Sequence, residues 1–406
     1  MPEPTLPPGY PLFTGEVKSA SQIELSATST KVELGGVELI QNVASEWRLL
    51  CDEAPSSEPF SRPDWIEAYI QSFVPQARIL LISAWKEGRL RGILPLVQEQ
   101  GMFSGLPVRK LISCANVHSC RFDLVRCPGP DGDQAVRAIW DGLSQLQIWD
   151  VLQMSLVPEG SGLDELLRVA ADDGFQVARK PDFESLYFRL ESEAGESEPG
   201  MAETSRKFRA NLRRTRRQLE KLGRVTLQHV EDADPEALQR FFTLESSGWK
   251  GQAGTAIALQ PQTRLYYELI ANAAARDGCF AFDFLELNGQ AIAGHFGLFR
   301  DGRYMVPKAA YDESFSRFGV GHLIVSNILR EYYPRGLREF DFVGPATWDE
   351  SRWASKRRSH FNLFVFSRGL YGTLLHFARI SGRKALKDML GISSRKKELS
   401  NCNQEQ

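Results

Sequence analysis

One order of local structure occurs once in each half of this chain, and that repetition limits the possible folds more than any other feature of the sequence. In the first half, helical text at Pro63–Phe73 leads into two apolar runs, residues 79–85 and 90–97, joined by Glu87-Gly88. In the second half, Pro261–Arg276 leads into Phe280–Leu287 and residues 290–299, joined by Asn288-Gly289. Asn-Gly is the stronger hairpin signal, because both residues accept the left-handed backbone of a tight two-residue turn. Each hairpin is followed by a strand and then a helix. The halves therefore read as related α/β domains of duplicated origin.

Length agrees with this, since 406 residues exceed the roughly 100–200 that one domain usually holds. The boundary falls at residues 191–204, where Glu191, Glu193, Glu196, Glu198 and Glu203 mix with Gly195, Pro199 and Gly200 into an acidic linker. The division that follows is an extended tail at 1–37, rich in Pro, Ser and Thr, a first domain at 38–190 and a second at 205–368. Residues 369–406 form a C-terminal helix and tail. Just past the linker the charge reverses: Arg206, Lys207, Arg209, Arg213, Arg214, Arg216, Arg217 and Lys221 surround Phe208, Leu212 and Leu219. That pattern is a basic helix with one packed face.

Composition excludes several classes. With 42% apolar residues, 25% charged residues and a formal net charge of −2, the chain reads as globular, and its balance predicts no nucleic-acid partner. Its longest apolar run, residues 79–85, falls far short of the roughly 20 residues of a membrane span. The proline-rich start reads as neither signal peptide nor anchor. Six cysteines are too few for a disulfide framework in a chain of this size, so a cytoplasmic setting is expected. Cys114, His118, Cys120 and Cys127 lack the paired knuckle spacing of a zinc site, so no metal is expected. Neither a GxSxG elbow nor a P-loop nor a dinucleotide fingerprint is present.

The chemistry points to the second half. A strand at 303–310, a loop at 317–321, a helix running to 333 and a strand at 338–343 follow the hairpin. Gly319, Val320, Gly321 and His322 open that helix, where free N–H groups and the helix dipole can hold a pyrophosphate. Arg317 adds positive charge. On local spacing alone, the two glycines read more readily as turn caps. The corresponding loop of the first half, residues 127–133, carries Asp131 and Asp133, which would repel a phosphate.

Three ordered motifs carry a family resemblance: WKGQAGTAI at 249–257, KAAYDESFSRFGVG at 308–321 and DFVG at 341–344. Together with the basic helix they resemble the CelD-like acetyltransferases, first named from cellulose biosynthesis and related to the FemAB transferases. The likeness covers residues 205–368, with a fainter echo at PFSRPDWIEAY in the first half. It implies tandem GNAT-like domains, each a mixed, mostly antiparallel splayed sheet flanked by helices. An acyl-CoA, acetyl-CoA by default, would enter the split of the sheet, and an amine or hydroxyl acceptor would attack the thioester directly. One departure stands out: three residues before the first glycine, where the family carries Gln or Arg, this chain has Ser316, with Arg317 one place later.

The resemblance also assigns roles. Lys308, Tyr311 and Asp312 should border the thioester, Lys308 and Tyr311 as donors and Asp312 or Glu245 as proton acceptor. His295, in mid-strand, is a second candidate base or a satisfied core histidine. Trp249, Lys250, Gly254 and Thr255 would shape the acceptor side, and Asp341 and Trp348, with Trp353 and the basic run Lys356 to Arg358, would bind a polar acceptor, a saccharide among them, or the cofactor phosphate. Each has a plainer reading as core aromatic, solvated ion or rigid junction. Two other functions stay open: transfer from an aminoacyl-tRNA held by the basic helix, and a non-catalytic scaffold on the same fold.

Overall fold

The computed structural model describes residues 21–25, 28–54, 58–190, 204–248, 251, 253–353 and 356–389, with side chains described from 29 to 379. The acidic linker, save Thr204, together with Trp249, Lys250 and the tail beyond 389, lies outside the described residues.

The first half supplies strands β1 (Ser21–Leu25), β2 (Thr28–Gly35), β3 (Arg78–Lys86), β4 (Arg89–Phe103), β5 (Leu106–Ser113), β6 (Val125–Arg126), β7 (Val151–Pro158) and β8 (Gln176–Arg189). The second supplies β9 (Val225–Val230), β10 (Phe280–Leu287), β11 (Gln290–Arg300), β12 (Arg303–Tyr311), β13 (Glu339–Asp341) and β14 (Lys356–Phe366). All join one mixed, mostly antiparallel sheet in the order β1-β2-β3-β4-β5-β7-β14-β8-β13-β12-β11-β10-β9, with β6 beside β4.

Both expected hairpins form. Glu87 and Gly88 sit at φ 53° and 74°, Asn288 and Gly289 at 52° and 82°, the paired left-handed residues that match strand twist. The helices Pro63–Phe73 and Pro261–Arg276 also form, each with Pro in its first turn, where a missing N–H costs nothing. They pack together through Phe73 and Tyr266, whose rings are 5.2 Å apart. Residues of both halves consequently share one buried core.

Two expectations about domains need correction. The 1–37 segment is not all tail: Thr28–Gly35 pairs along its length with β3. Thr28, Thr30, Val32 and Leu34 alternate there with Ser29, Lys31 and Glu33, and period two makes a strand whatever the Ser and Thr content. Nor does the second half close on itself. Its last strand, β14, inserts between β7 and β8, while β8 passes on to pair with β13. Each half thus lends its final strand to the neighbouring half, and the linker divides the sequence without dividing the sheet.

Two parallel contacts interrupt the antiparallel order, β5 with β7 and β12 with β13, each only three residue pairs long. Past those pairs the strands have no ladder between them. In β12 the register slips so that Val306 and Pro307 oppose the single residue Gly297, a bulge that removes main-chain groups from pairing beside the split.

Candidate active site

The parallel ladder of β12 and β13 ends at Met305 and Asp341. Beyond it, residues 306–311 and the chain from Phe342 to Gly344 line opposite sides of a cleft of about 590 Å³. The helix Val320–Tyr332 points its first turn into this cleft, with Gly319 as N-cap at φ 61° in the left-handed region. The opening N–H groups of a helix have no partner within it, so Val320 and Gly321 present donors there, backed by the helix dipole. Arg317 and Ser316 line the same wall, and Arg214, Asn211 and Thr215 of the basic helix Arg206–Glu220 stand on the rim. Glycine spacing revealed the wall. Asn211 and Thr215 were missed, since their only signal is spacing around Arg214 on one helix face.

His322 is held in one tautomer. The Trp353 indole donates to its Nδ1 at 3.0 Å, leaving the proton on Nε2, which is 3.7 Å from Asp349 Oδ1. Burial lowers its pKa, so the ring is neutral. Trp353 and its neighbour Arg352 complete this side of the cleft. The Arg352 guanidinium stacks on Phe208 at 4.3 Å and Trp348 at 5.4 Å.

Lys308 lines the cleft, and its Nζ lies 3.6 Å from Glu245 Oε1. The Glu245 carboxylate is fully buried and also accepts the Ile257 N–H at 2.8 Å, which ties the helix Pro235–Ser246 to the end of the WKGQAGTAI segment. Tyr311 lines the cleft and is 45% exposed, so its hydroxyl is within reach of a ligand. His295 lines it from β11 as a buried ring whose Nδ1 finds no hydrogen-bond partner among the described residues. Burial pushes its pKa down to about 3, which suits a neutral wall better than a general base.

Several expected site residues fall elsewhere. Asp312 lies outside this cleft and caps the short turn after β12, accepting Ser314 N–H and Oγ–H at 2.9 and 2.7 Å. Asp341 is wholly buried: Arg121 Nη2 lies 2.9 Å from both of its oxygens, and Arg358 adds another ion pair. It is part of the packing between halves and contributes no surface for an acceptor. Trp348 is 75% exposed beside the rim. Gly254 turns at φ 70° and, with Thr255, lies in the connection to the helix Pro261–Arg276, away from the cleft lining. Trp249 and Lys250 lie outside the described residues.

In the first half, Asp131 binds Lys86 at 2.7 Å and Asp133 binds Arg126 at 2.9 Å, so the corresponding helix start is occupied by acids and their partners. Phe122 N–H bonds Leu156 O at 3.2 Å, which brings the segment after β5 against β7. Among the described residues, no group of three or more His, Cys, Asp or Glu is arranged to hold a metal ion, and no helix is long and apolar enough to cross a membrane.

This geometry agrees with the comparisons. Residues 206–353 match the model of an acetyltransferase (GNAT) domain. No curated protein matches the chain by sequence. Among solved structures, FemX superposes with a TM-score of 0.52 at 11% identity, covering 79% of this chain and 95% of FemX. The C-terminal domain of a putative lysylphosphatidylglycerol synthetase from Agrobacterium fabrum gives 0.49 at 13% identity, over 80% of this chain and 92% of that one. A tandem GNAT protein from the clavulanic acid biosynthesis pathway gives 0.45 at 12%, over 84% of this chain and all of its own length. At such identities the FemX likeness concerns fold alone. The split sheet with a glycine-started helix at its mouth and the domain match over 206–353 lead to one conclusion: the chain carries a GNAT acetyltransferase domain in its second half and is an acyltransferase.

Proposed function

We propose that the chain moves an acyl group, acetyl by default, from coenzyme A to an amine or hydroxyl acceptor by direct attack. The observation that carries this is the start of the helix Val320–Tyr332, which faces the β12/β13 split with Arg317 and Arg214 beside it. Such a mouth accepts a pyrophosphate, and the split behind it accepts the thioester arm.

In this reading the acceptor lone pair attacks the thioester carbonyl, forming the new C–N or C–O bond. Lys308, held by Glu245, and the main-chain groups freed by the bulge of β12 stabilise the oxyanion. The C–S bond then breaks and Tyr311 gives its proton to the departing thiolate. The acceptor's proton leaves through water to Glu245, which returns it to solvent by the same water and so recovers the charge that holds Lys308, and Tyr311 recovers its own from solvent, to which it is open. Motif likeness to the CelD-like transferases favours a saccharide or other cell-envelope acceptor in a cytoplasmic reaction.

The test is calorimetric binding together with thermal unfolding in acetyl-CoA, since a ligand selective for the native state must raise its melting temperature. No binding and no shift with acetyl-CoA, longer acyl-CoA or free CoA would overturn the reading. A second reading, transfer from an aminoacyl-tRNA, draws on the cations of the helix Arg206–Glu220 at the rim. Saturable binding of charged tRNA in the absence of CoA binding would favour it.

A further inference from the structure

We infer, resting on the coenzyme A reading above, that the outer face of the Trp348 indole seats the adenine of the donor. Trp348 is the only exposed tryptophan among the described residues. A single exposed apolar residue is ordinary, but this one is held in place. Thr347 and Glu350 close the turn on either side of it, the Thr347 N–H donating to Glu350 Oε2 at 2.9 Å and the Glu350 N–H to Thr347 Oγ1 at 3.3 Å. Ser351 Oγ donates to the Trp348 carbonyl at 2.6 Å. The Arg352 guanidinium lies against both Trp348 and Phe208, so ring, cation and ring form a column. Its last surface is the indole face turned to solvent, which a second flat ring can cover by stacking.

Position decides what covers it. Asp349, the next residue, has Oδ1 3.7 Å from His322 Nε2, and His322 lies in the first turn of the helix Val320–Tyr332, where the pyrophosphate enters. Trp348 therefore stands at the phosphate end of the cleft, where the nucleoside of the donor must lie. An acceptor has to reach the thioester beside Lys308 and has no call on this end.

Charge decides which part of the nucleotide it is. Asp349 is mostly exposed and lines the cleft beside Trp348. A carboxylate there repels a phosphate and accepts the N–H of an exocyclic amine, such as adenine carries. The phosphates have other partners in the same cleft. Arg317 covers the Phe318 ring at 4.7 Å and Arg214 bonds Asn211 at 2.8 Å, neither of them in an ion pair among the described residues.

The experiment is titration calorimetry of the full chain with acetyl-CoA and with acetyl-phosphopantetheine, which keeps the thioester arm and lacks the nucleoside. Trp348→Ala should bind acetyl-CoA about tenfold more weakly, the lower end of what one base on one aromatic ring contributes, and Trp348→Phe should recover most of that loss. Neither variant should change the affinity for acetyl-phosphopantetheine, which does not reach Trp348, nor the melting temperature, since the ring is exposed. Acetyl-CoA bound by Trp348→Ala as tightly as by the parent would overturn the inference and leave the donor reading standing. An equal loss for both ligands would overturn it too, by making Trp348 a support of its loop. A parent chain that binds neither ligand would overturn the donor reading, and the adenine seat with it.

Discussion

Arg121 and Asp341, 220 positions apart in sequence, face each other across the junction of the two halves, with Arg121 Nη2 2.9 Å from each carboxylate oxygen. Neither side chain is more than 1% exposed. Glu58 holds the other arm of Arg121 at 3.0 Å, Arg303 bonds Glu58 at 2.7 Å, and Arg358 reaches both Asp341 and Glu339. Burial raises the cost of the Asp341 charge, yet Arg121 and Arg358 keep its carboxyl below the usual range. The fixed charges of one half are thus neutralised by the other, at the point where β8 and β13 pair.

Arg121→Met should therefore destabilise the whole protein. Removing one member of a buried ion network leaves charges without compensation and costs about 3–5 kcal/mol. Because the halves share a sheet, urea unfolding followed by tryptophan fluorescence and by circular dichroism should give one coincident transition, displaced to lower denaturant in the variant. Two separate transitions in the parent protein would contradict a single cooperative unit.

Legibility in the sequence followed the range of the interactions. The hairpins and the helices Pro63–Phe73 and Pro261–Arg276 were visible because proline position, period and turn residues are local signals. The cleft loop was visible for the same reason, in the spacing of Gly319 and Gly321. Asp341 read as a ligand because nothing near it in sequence announces Arg121. The exchange of β8 and β14 was hidden likewise: the period-two series Phe361, Leu363 and Val365 marks a strand but never names its neighbours. The capping role of Asp312 was legible locally, since Asp followed two residues later by Ser is a capping pattern.

The two glycines of the cleft should respond differently to alanine. At Gly319 the left-handed backbone opposes any side chain, so Gly319→Ala should cost about 1 kcal/mol of stability. At Gly321 an added methyl would meet nothing within 4 Å, so folding should be undisturbed. Its methyl would nonetheless stand where a phosphate approaches the backbone. Calorimetry should find acetyl-CoA bound on the order of tenfold more weakly, about 1.4 kcal/mol, with the melting temperature of the apo-protein preserved. Unchanged affinity in Gly321→Ala would place the phosphates elsewhere.

Turnover separates the roles of Lys308, Tyr311 and Glu245. Lys308→Met should lower kcat by roughly 100- to 1,000-fold, the usual worth of one oxyanion donor. Tyr311→Phe should lower it by about 100-fold as a lost general acid. Glu245→Gln keeps an acceptor for the Ile257 N–H while losing the charge that holds Lys308, so kcat should fall with the fold intact. Thiol release from acetyl-CoA, measured beside its dissociation constant, distinguishes the cases. Equal kcat in all three variants would remove this cluster from the chemistry.

Acid should weaken the protein through two buried histidines. Burial depresses His295 to about 3, and burial, with Arg121 nearby, depresses His360 to about 4. An unfolded histidine titrates near 6.5, so below that pH the unfolded chain takes up protons that the native protein refuses. Their stabilising contribution is complete above about pH 6.5 and declines as pH falls toward the depressed values, by up to about 1.4 kcal/mol per pH unit for each ring. His360 stacks on Phe183 at 4.3 Å, and neither ring nitrogen has a hydrogen-bond partner among the described residues. His360→Phe can keep that stacking and removes the titration. Urea unfolding at pH 7 and pH 5 should show the variant losing less stability than the parent over this interval. An identical loss in both would mean that His360 is protonated in the folded protein and that its burial carries no acid penalty.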